Sequence, residues 1–193
     1  MRIEQLGNDG KTKIVGISEF HNSKNLKQEE LIQLAASLSS DAITVQLLNG
    51  RLIADEIHLL SAVQNAINAQ HGEYMLSRSL DVEIIIFASA QRQIGKAFDT
   101  LGVYDGLDEI AAVVVGSDVE SVEKITLDLA KQIGKEILPP FPATNERIER
   151  IKDHYQIDDK EINTISESRT LESRLSALSR CLVSRVSLVA IDT

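Results

Sequence analysis

Apolar positions along the chain recur with two periods, and the switches between them mark the elements. Residues 13–20, KIVGISEF, hold Ile14, Val15 and Ile17 in a short β-branched run and predict a first strand. Residues 26–38 change period: Leu31, Leu34, Ala35 and Leu38 form one helical stripe, with Glu29 and Glu30 at the start, where the helix dipole favours them. Residues 41–48, DAITVQLL, read as a second strand, and the Asn49-Gly50 pair predicts a turn closing a hairpin into 51–54. Residues 55–70 form a helix with Ile57, Leu60, Val63, Ala66 and Ile67 facing inward and His71-Gly72 at its end. His58 sits beside that stripe and reads as a surface or boundary histidine.

The stretch 80–106, LDVEIIIFASAQRQIGKAFDTLGVYDG, has the sharpest pattern. Val82 and Ile84 to Phe87 predict a buried strand. Ser89 follows as the cap of a new helix, in which Ile94, Ala97, Phe98 and Leu101 recur at i, i+3, i+4 and i+7. Gly102 is placed to end it in a left-handed conformation. Gln91, Arg92 and Gln93 then fall in the first helical turn, just beyond a strand end.

After the turn at Tyr104-Asp105-Gly106, the uncharged run 110–115, IAAVVV, predicts another strand. Ser117 and Glu120 match a capping box for a helix carrying Val119, Val122, Leu129 and Ile133 and stopping at Gly134. All three prolines lie in 138–142, LPPFP, an extended hinge before a helical C-terminal part. Helices are predicted over 144–155, 158–165 and 170–185, the last with Leu171, Leu175, Leu178 and Leu182 on one stripe, and 186–191 alternates like a strand. Regular alternation of strands and helices points to a parallel α/β sheet, whereas the Asn-Gly and Asp-Gly turns point to antiparallel hairpins. The reading adopted is α+β, a mixed α/β domain over 1–193 with helices packed around a mainly antiparallel sheet.

Composition changes the picture in two ways. A single cysteine, Cys181, rules out an internal disulfide and a cysteine-based zinc site, and the N-terminus lacks the apolar core of a secretory signal, so a reducing cytoplasm is expected. No apolar run approaches membrane-spanning length, so no membrane partner is expected. The net charge of −9 disfavours a long basic groove for nucleic acid. The acid is concentrated in 103–129, where Asp105, Asp108, Glu109, Asp118, Glu120, Glu123 and Asp128 face Lys124 alone, while 74–100 is balanced. A local contact with the end of a polyanion is compatible with that distribution.

The usual catalytic patterns are absent: there is no Walker A loop, no G-x-G-x-x-G, no H-E-x-x-H and no G-x-S-x-G, and the four histidines lack ligand spacing. A non-enzyme without cofactor or metal is expected. Gln91, Arg92 and Gln93 differ in kind from the rest. A guanidinium pairs with phosphate or stacks on a base, and the amides suit base edges and ribose hydroxyls. The competing account has Arg92 paired with Asp99 or Glu83. A rival function from another class is a small-ligand or nucleotide-binding enzyme that uses a helix N-terminus at Ser89–Gln93. The Leu171–Leu182 stripe is either core packing or an apolar face offered to a partner, with Ser176, Ser179, Arg180 and Ser184 as its rim.

The segment L-D-V-E-I-I-I-F-A-S-A-Q-R-Q-I-x-x-A-F-x-x-L-G-V-x-D-G resembles the signature of the small KEOPS subunit, the PRPK-binding protein family. Ile53–Ile67 resembles that family's histidine-containing helix, and Leu178–Asp192 its closing segment. The resemblance spans roughly 41–115 and the C-terminus. It implies a mixed α/β accessory subunit that is not itself the catalyst. Such a subunit binds the small atypical kinase-ATPase of KEOPS and supports threonylcarbamoylation of adenosine 37 in tRNA. It also recruits tRNA through the 3′ CCA end. By the same resemblance Gln91, Arg92 and Gln93 become the tRNA-end residues, and Leu178, Leu182 and Val183 the kinase contacts. Ala90 stands where the family pattern has glycine, a residue used for close approach or positive φ.

Overall fold

Four antiparallel strands form the frame on which the helices are laid. A computed structural model describes residues 1–8 and 11–189. The sheet order is β1-β2-β4-β3, built from β1 (Arg2–Asn8), β2 (Lys11–His21), β3 (Thr44–Asn49) and β4 (Glu109–Gly116). Every pairing is antiparallel, with Arg2 opposite Ile17, Ile17 opposite Val113, and Val45 opposite Val114. β1 carries little apolar periodicity of its own and was not anticipated; it is held by pairing with β2 along its length.

Both faces of the sheet are covered, which explains the uncharged run in β4. Phe20, Val45, Leu47, Ala112 and Val114 pack on one face with α1 (Gln28–Leu38) and α5 (Val119–Ile133). Val15, Ile17, Leu48, Val113 and Val115 pack on the other with α2 (Glu56–His71) and α3 (Leu80–Ala88). A strand buried on both sides loses the polar alternation that marks a half-exposed antiparallel strand. The remaining helices are α4 (Ile94–Leu101), α6 (Asn145–Tyr155), α7 (Asp159–Ile165) and α8 (Leu171–Leu188). The last three share a core of Ile148, Ile151, Ile162, Leu175, Leu178 and Leu182, and α8 lies along α2.

Several local expectations give way to tertiary demands. Asn49-Gly50 does not close a hairpin. Asn49 Oδ1 accepts the Arg51 N–H and starts a short 3-10 turn over Gly50–Leu52. A Cβ on Gly50 would lie 2.9 Å from the Glu109 carbonyl, so the backbone passes too close to β4 for any other residue. The cap of α5 is Asp118 rather than Ser117, and its carboxylate accepts the Ser121 N–H at 2.8 Å. Ile57 and Val119 are exposed, each at the first turn of a helix that begins outside the core. The strand expected at 186–191 is helix through Leu188, and its last two residues lie outside the described ones.

A buried polar cluster joins the sheet to the C-terminal helices. Arg147 on α6 donates to Glu19 Oε1 at 2.6 Å, Glu109 Oε2 at 3.1 Å, and the carbonyls of Gly50 and Ile53 at 2.8 and 2.9 Å. Glu19 Oε2 accepts the Phe141 N–H at 2.6 Å, and the Phe141 ring lies under the guanidinium, 5.6 Å from its centroid. Burial pushes the Glu19 carboxyl up from its ordinary value, opposed by the Arg147 charge and by these bonds. The proline segment is tied in at the same place. The Ile137 N–H donates to the Glu19 carbonyl and the His21 N–H to Lys135, where β2 has run past the end of β1.

Candidate functional site

The stretch that reads as a strand is α3. Leu80, Ile84, Ile85, Ile86, Phe87 and Ala88 are buried around its whole circumference, between α2, β3 and α8. A helix wrapped on all sides has no apolar stripe, and its β-branched content then mimics a buried strand. Each fully buried Ile or Phe contributes roughly 1.5–3 kcal/mol, which outweighs a few tenths of unfavourable helix propensity. Ser89 therefore ends this helix rather than beginning the next, and its hydroxyl donates to the Ile86 carbonyl at 3.0 Å.

The turn that follows is a Schellman closure. The Ala90 N–H donates to the Phe87 carbonyl at 2.9 Å and the Gln91 N–H to Ile86 at 3.2 Å. Ala90 takes φ +53°, the left-handed conformation that favours glycine, so the alanine stands in a strained position. Gln91 and Arg92 consequently lie between two helices, not in the first turn of one. Gln93 is the N-cap of α4 but forms no side-chain cap bond, which leaves the first N–H groups of that helix open. Gly102 has φ −64° and does not serve as the left-handed end of α4.

Two side chains hold the turn from below. His58 is fully buried, contrary to its reading as a surface residue. Its Nε2 donates to the Ala88 carbonyl at 2.8 Å, while its Nδ1 accepts the Ala54 N–H at 3.5 Å. That pair of bonds requires the neutral Nε2–H tautomer, and burial lowers the imidazole pKa from its ordinary 6.5. The Tyr155 hydroxyl reaches the same carbonyl at 3.5 Å, and burial raises its pKa, so it stays a donor. The His58 and Tyr155 rings meet edge to face at 6.2 Å.

Above the turn, Arg92 and Gln93 are exposed and Gln91 is half-buried. Arg92 forms no ion pair among the described residues. Glu83 is committed elsewhere, accepting the N–H groups of Leu76 and Ser77 and the Ser77 hydroxyl, so the expected Arg92–Glu83 alternative fails. Gln91 opens onto a cleft of 410 Å³ shared with His154 and Gln156 at the end of α6 and Arg185 and Leu188 on α8. Arg185 is held there by the Tyr155 carbonyl and by Glu161 at 3.4 Å. The turn and the C-terminal helix, distant in sequence, border one depression.

On α8 the candidate residues separate. Leu178 and Leu182 are fully buried in the core with α6 and α7, so neither has surface to offer another chain; Val183 is half-buried. Ser179, expected on a rim, is buried and donates to Asp55 Oδ1 at 2.6 Å. Ser176, Arg180, Val183, Ser184 and Ser187 form the outward face of the helix, with Leu188 half-exposed beside them. The four-residue spacing of the leucines marked the inward face. The outward one had no apolar signature to find.

Among the described residues no cluster of His, Cys, Asp or Glu has the arrangement of a metal site, and no helix is long and apolar enough to cross a membrane. The chain matches the family model of Kinase binding protein CGI-121 over residues 18–190, including the stretch 117–170 that lies outside the motifs of the resemblance. Curated proteins give no match.

Proposed function

This chain belongs to the CGI-121 kinase-binding protein family, and from that premise we propose that it is a non-catalytic accessory subunit of the KEOPS machinery that forms N6-threonylcarbamoyladenosine at adenosine 37 of tRNA. It anchors the kinase-ATPase subunit through the outer face of α8, centred on Val183, with Leu178 and Leu182 beneath fixing the rotation of that helix. It receives tRNA by the single-stranded 3′ CCA end at Gln91, Arg92 and Gln93.

The observation that carries the RNA half is Arg92, an exposed guanidinium without a partner among the described residues, set beside the open N–H groups of α4. Phosphate meets the charge and the helix end, while the amides of Gln91 and Gln93, which have no partner among the described residues, suit base edges. A net charge of −9 restricts such binding to a few phosphates, so its salt dependence is shallow.

Two variants test the halves separately. Arg92→Glu lowers tRNA retention in a filter assay about tenfold, and tRNA stripped of its terminal CCA loses as much. Unchanged retention by the variant removes the RNA site. Val183→Glu abolishes co-purification with the kinase subunit while the thermal melt stays at the parent value. Full co-purification moves the kinase contact off α8.

A further inference from the structure

One of the two edge strands of the sheet is β3, and it borders a groove of 470 Å³ between α1 on one side and the start of α3 with α4 on the other. Its walls are apolar and partly solvent-exposed: Ile32 is 54% exposed and Phe98 41%. Of the apolar stripe on α4 only Ala97 and Leu101 are buried, and Phe98 turns into this groove. Among the described residues the only charged group lining it is Asp81, in the first turn of α3, which forms no ion pair with any of them.

The backbone at this edge is half closed. The Val45 N–H donates to Ser39 Oγ at 3.1 Å, and the Leu47 carbonyl accepts from Gln46 Nε2 at 2.8 Å. Both bonds identify 45 and 47 as residues whose backbone groups turn away from β4, since these groups alternate along an antiparallel strand. The Val45 carbonyl and the Leu47 N–H face the same way and receive no side-chain or loop partner among the described residues. An unpaired backbone pair in an apolar groove is costly unless something completes it.

The pattern of what is free selects the geometry of what can bind. An antiparallel strand needs both the N–H and the C=O of one residue, and at 45 and 47 one of each is occupied. A parallel strand needs the C=O of one residue and the N–H of the residue two further on, which are the groups left. One residue of an added strand can donate to Val45 and accept from Leu47. It sits beside Gln46 and shares its face of the sheet, the side of α3 and α4, where Asp81 and Phe98 lie. Its neighbours turn to the α1 side, against Leu31, Ile32 and Ala35.

We propose that the β3 edge groove is a docking site for an extended partner-protein segment of the pattern apolar–basic–apolar, added to the sheet as a short parallel strand. The basic side chain lays its stem on Phe98 and places its charge at Asp81, and the flanking apolar residues cover the α1 wall. The site is separate from the α8 face and the Ala90–Gln93 turn.

The test is an amide-resolved NMR titration of the full chain with a capped synthetic peptide holding a central Ile-Lys-Val between glycines. The Leu47 amide proton shifts downfield and saturates. Replacing the peptide's lysine by glutamate weakens binding about tenfold, methylating the lysine amide nitrogen abolishes the Leu47 shift, and Asp81→Lys reverses the preference between lysine and glutamate. Phe98→Asp removes binding while the rest of the spectrum keeps the folded pattern. No saturable shift at Leu47, equal affinity for the lysine, glutamate and N-methyl peptides, or a Leu47 shift that follows protein concentration without peptide, as a second copy in the groove would give, each overturns the proposal.

Discussion

Two polar sites among the described residues are opposites. Around Arg147 and Glu19 no buried side-chain nitrogen or oxygen is left without a partner among the described residues, and the pair is closed to water. Around Gln91, Arg92 and Gln93 the end of α3 is satisfied beneath, by the Schellman bonds and by His58, while the side chains above have no partner among the described residues and the first N–H groups of α4 stay open. A closed site has no capacity left for a ligand, and its residues serve the fold. An open site on a rigid support keeps its capacity and has already met the ordering cost of its backbone. Charge alone does not separate the two kinds; burial and the hydrogen-bond partners do.

The largest effect that can break this comparison is at the closed site. Arg147→Ala leaves the Glu19 carboxyl buried without its counter-ion and frees two carbonyls, and is expected to cost about 3–5 kcal/mol in a denaturant melt. A loss below about 1 kcal/mol would mean that water reaches the cluster and that it is not closed. Next comes the support of the open site, read through pH. His58 is neutral when folded because burial lowers its pKa, whereas the unfolded imidazole takes up a proton below about 6.5. The unfolded state therefore binds more protons as pH falls. The stability His58 contributes is complete above that pH and declines as the solution is acidified through it. His58→Gln flattens this part of the pH profile; an unchanged slope would place the titration elsewhere.

Smaller still is the strain at the turn. Ala90→Gly relieves the left-handed alanine and is expected to raise stability by about 1 kcal/mol. The smallest stability effect belongs to the open site itself. Arg92→Glu, which weakens tRNA binding in the reading above, should leave the melt within about 0.5 kcal/mol of the parent. Equal stability losses at Arg92 and Arg147 would erase the distinction between the two sites.

The tRNA-end candidates could be named from Q-R-Q and its resemblance, but their setting could not. Reading 82–87 as a strand placed the triplet in the first turn of a helix, when it lies after one helix and before another. Burial of α3 on every side removed the 3.6-residue stripe on which a helix assignment depends. His58 was misplaced for a related reason: a histidine next to an apolar stripe is exposed or buried according to what packs over it, and α3 lies far from it along the chain. The cleft shared by Gln91 and Arg185 joins residues more than ninety positions apart, beyond the reach of any local pattern.

What the amino-acid sequence determined by itself is the set of elements whose signal is local. These are the strands at 13–20, 41–48 and 110–115, the helices after Lys27, Asp55, Asp118, Thr144, Asp158 and Thr170, and the α+β class they add up to. Periodicity and caps are properties of neighbouring residues, and neighbours suffice to read them. Only the tertiary structure decided that α3 is a helix, that Leu178 and Leu182 face inward while Val183 looks out, and which of two polar sites is closed. Burial and hydrogen-bond satisfaction are sums over partners drawn from the whole chain, and those partners meet only once it has folded.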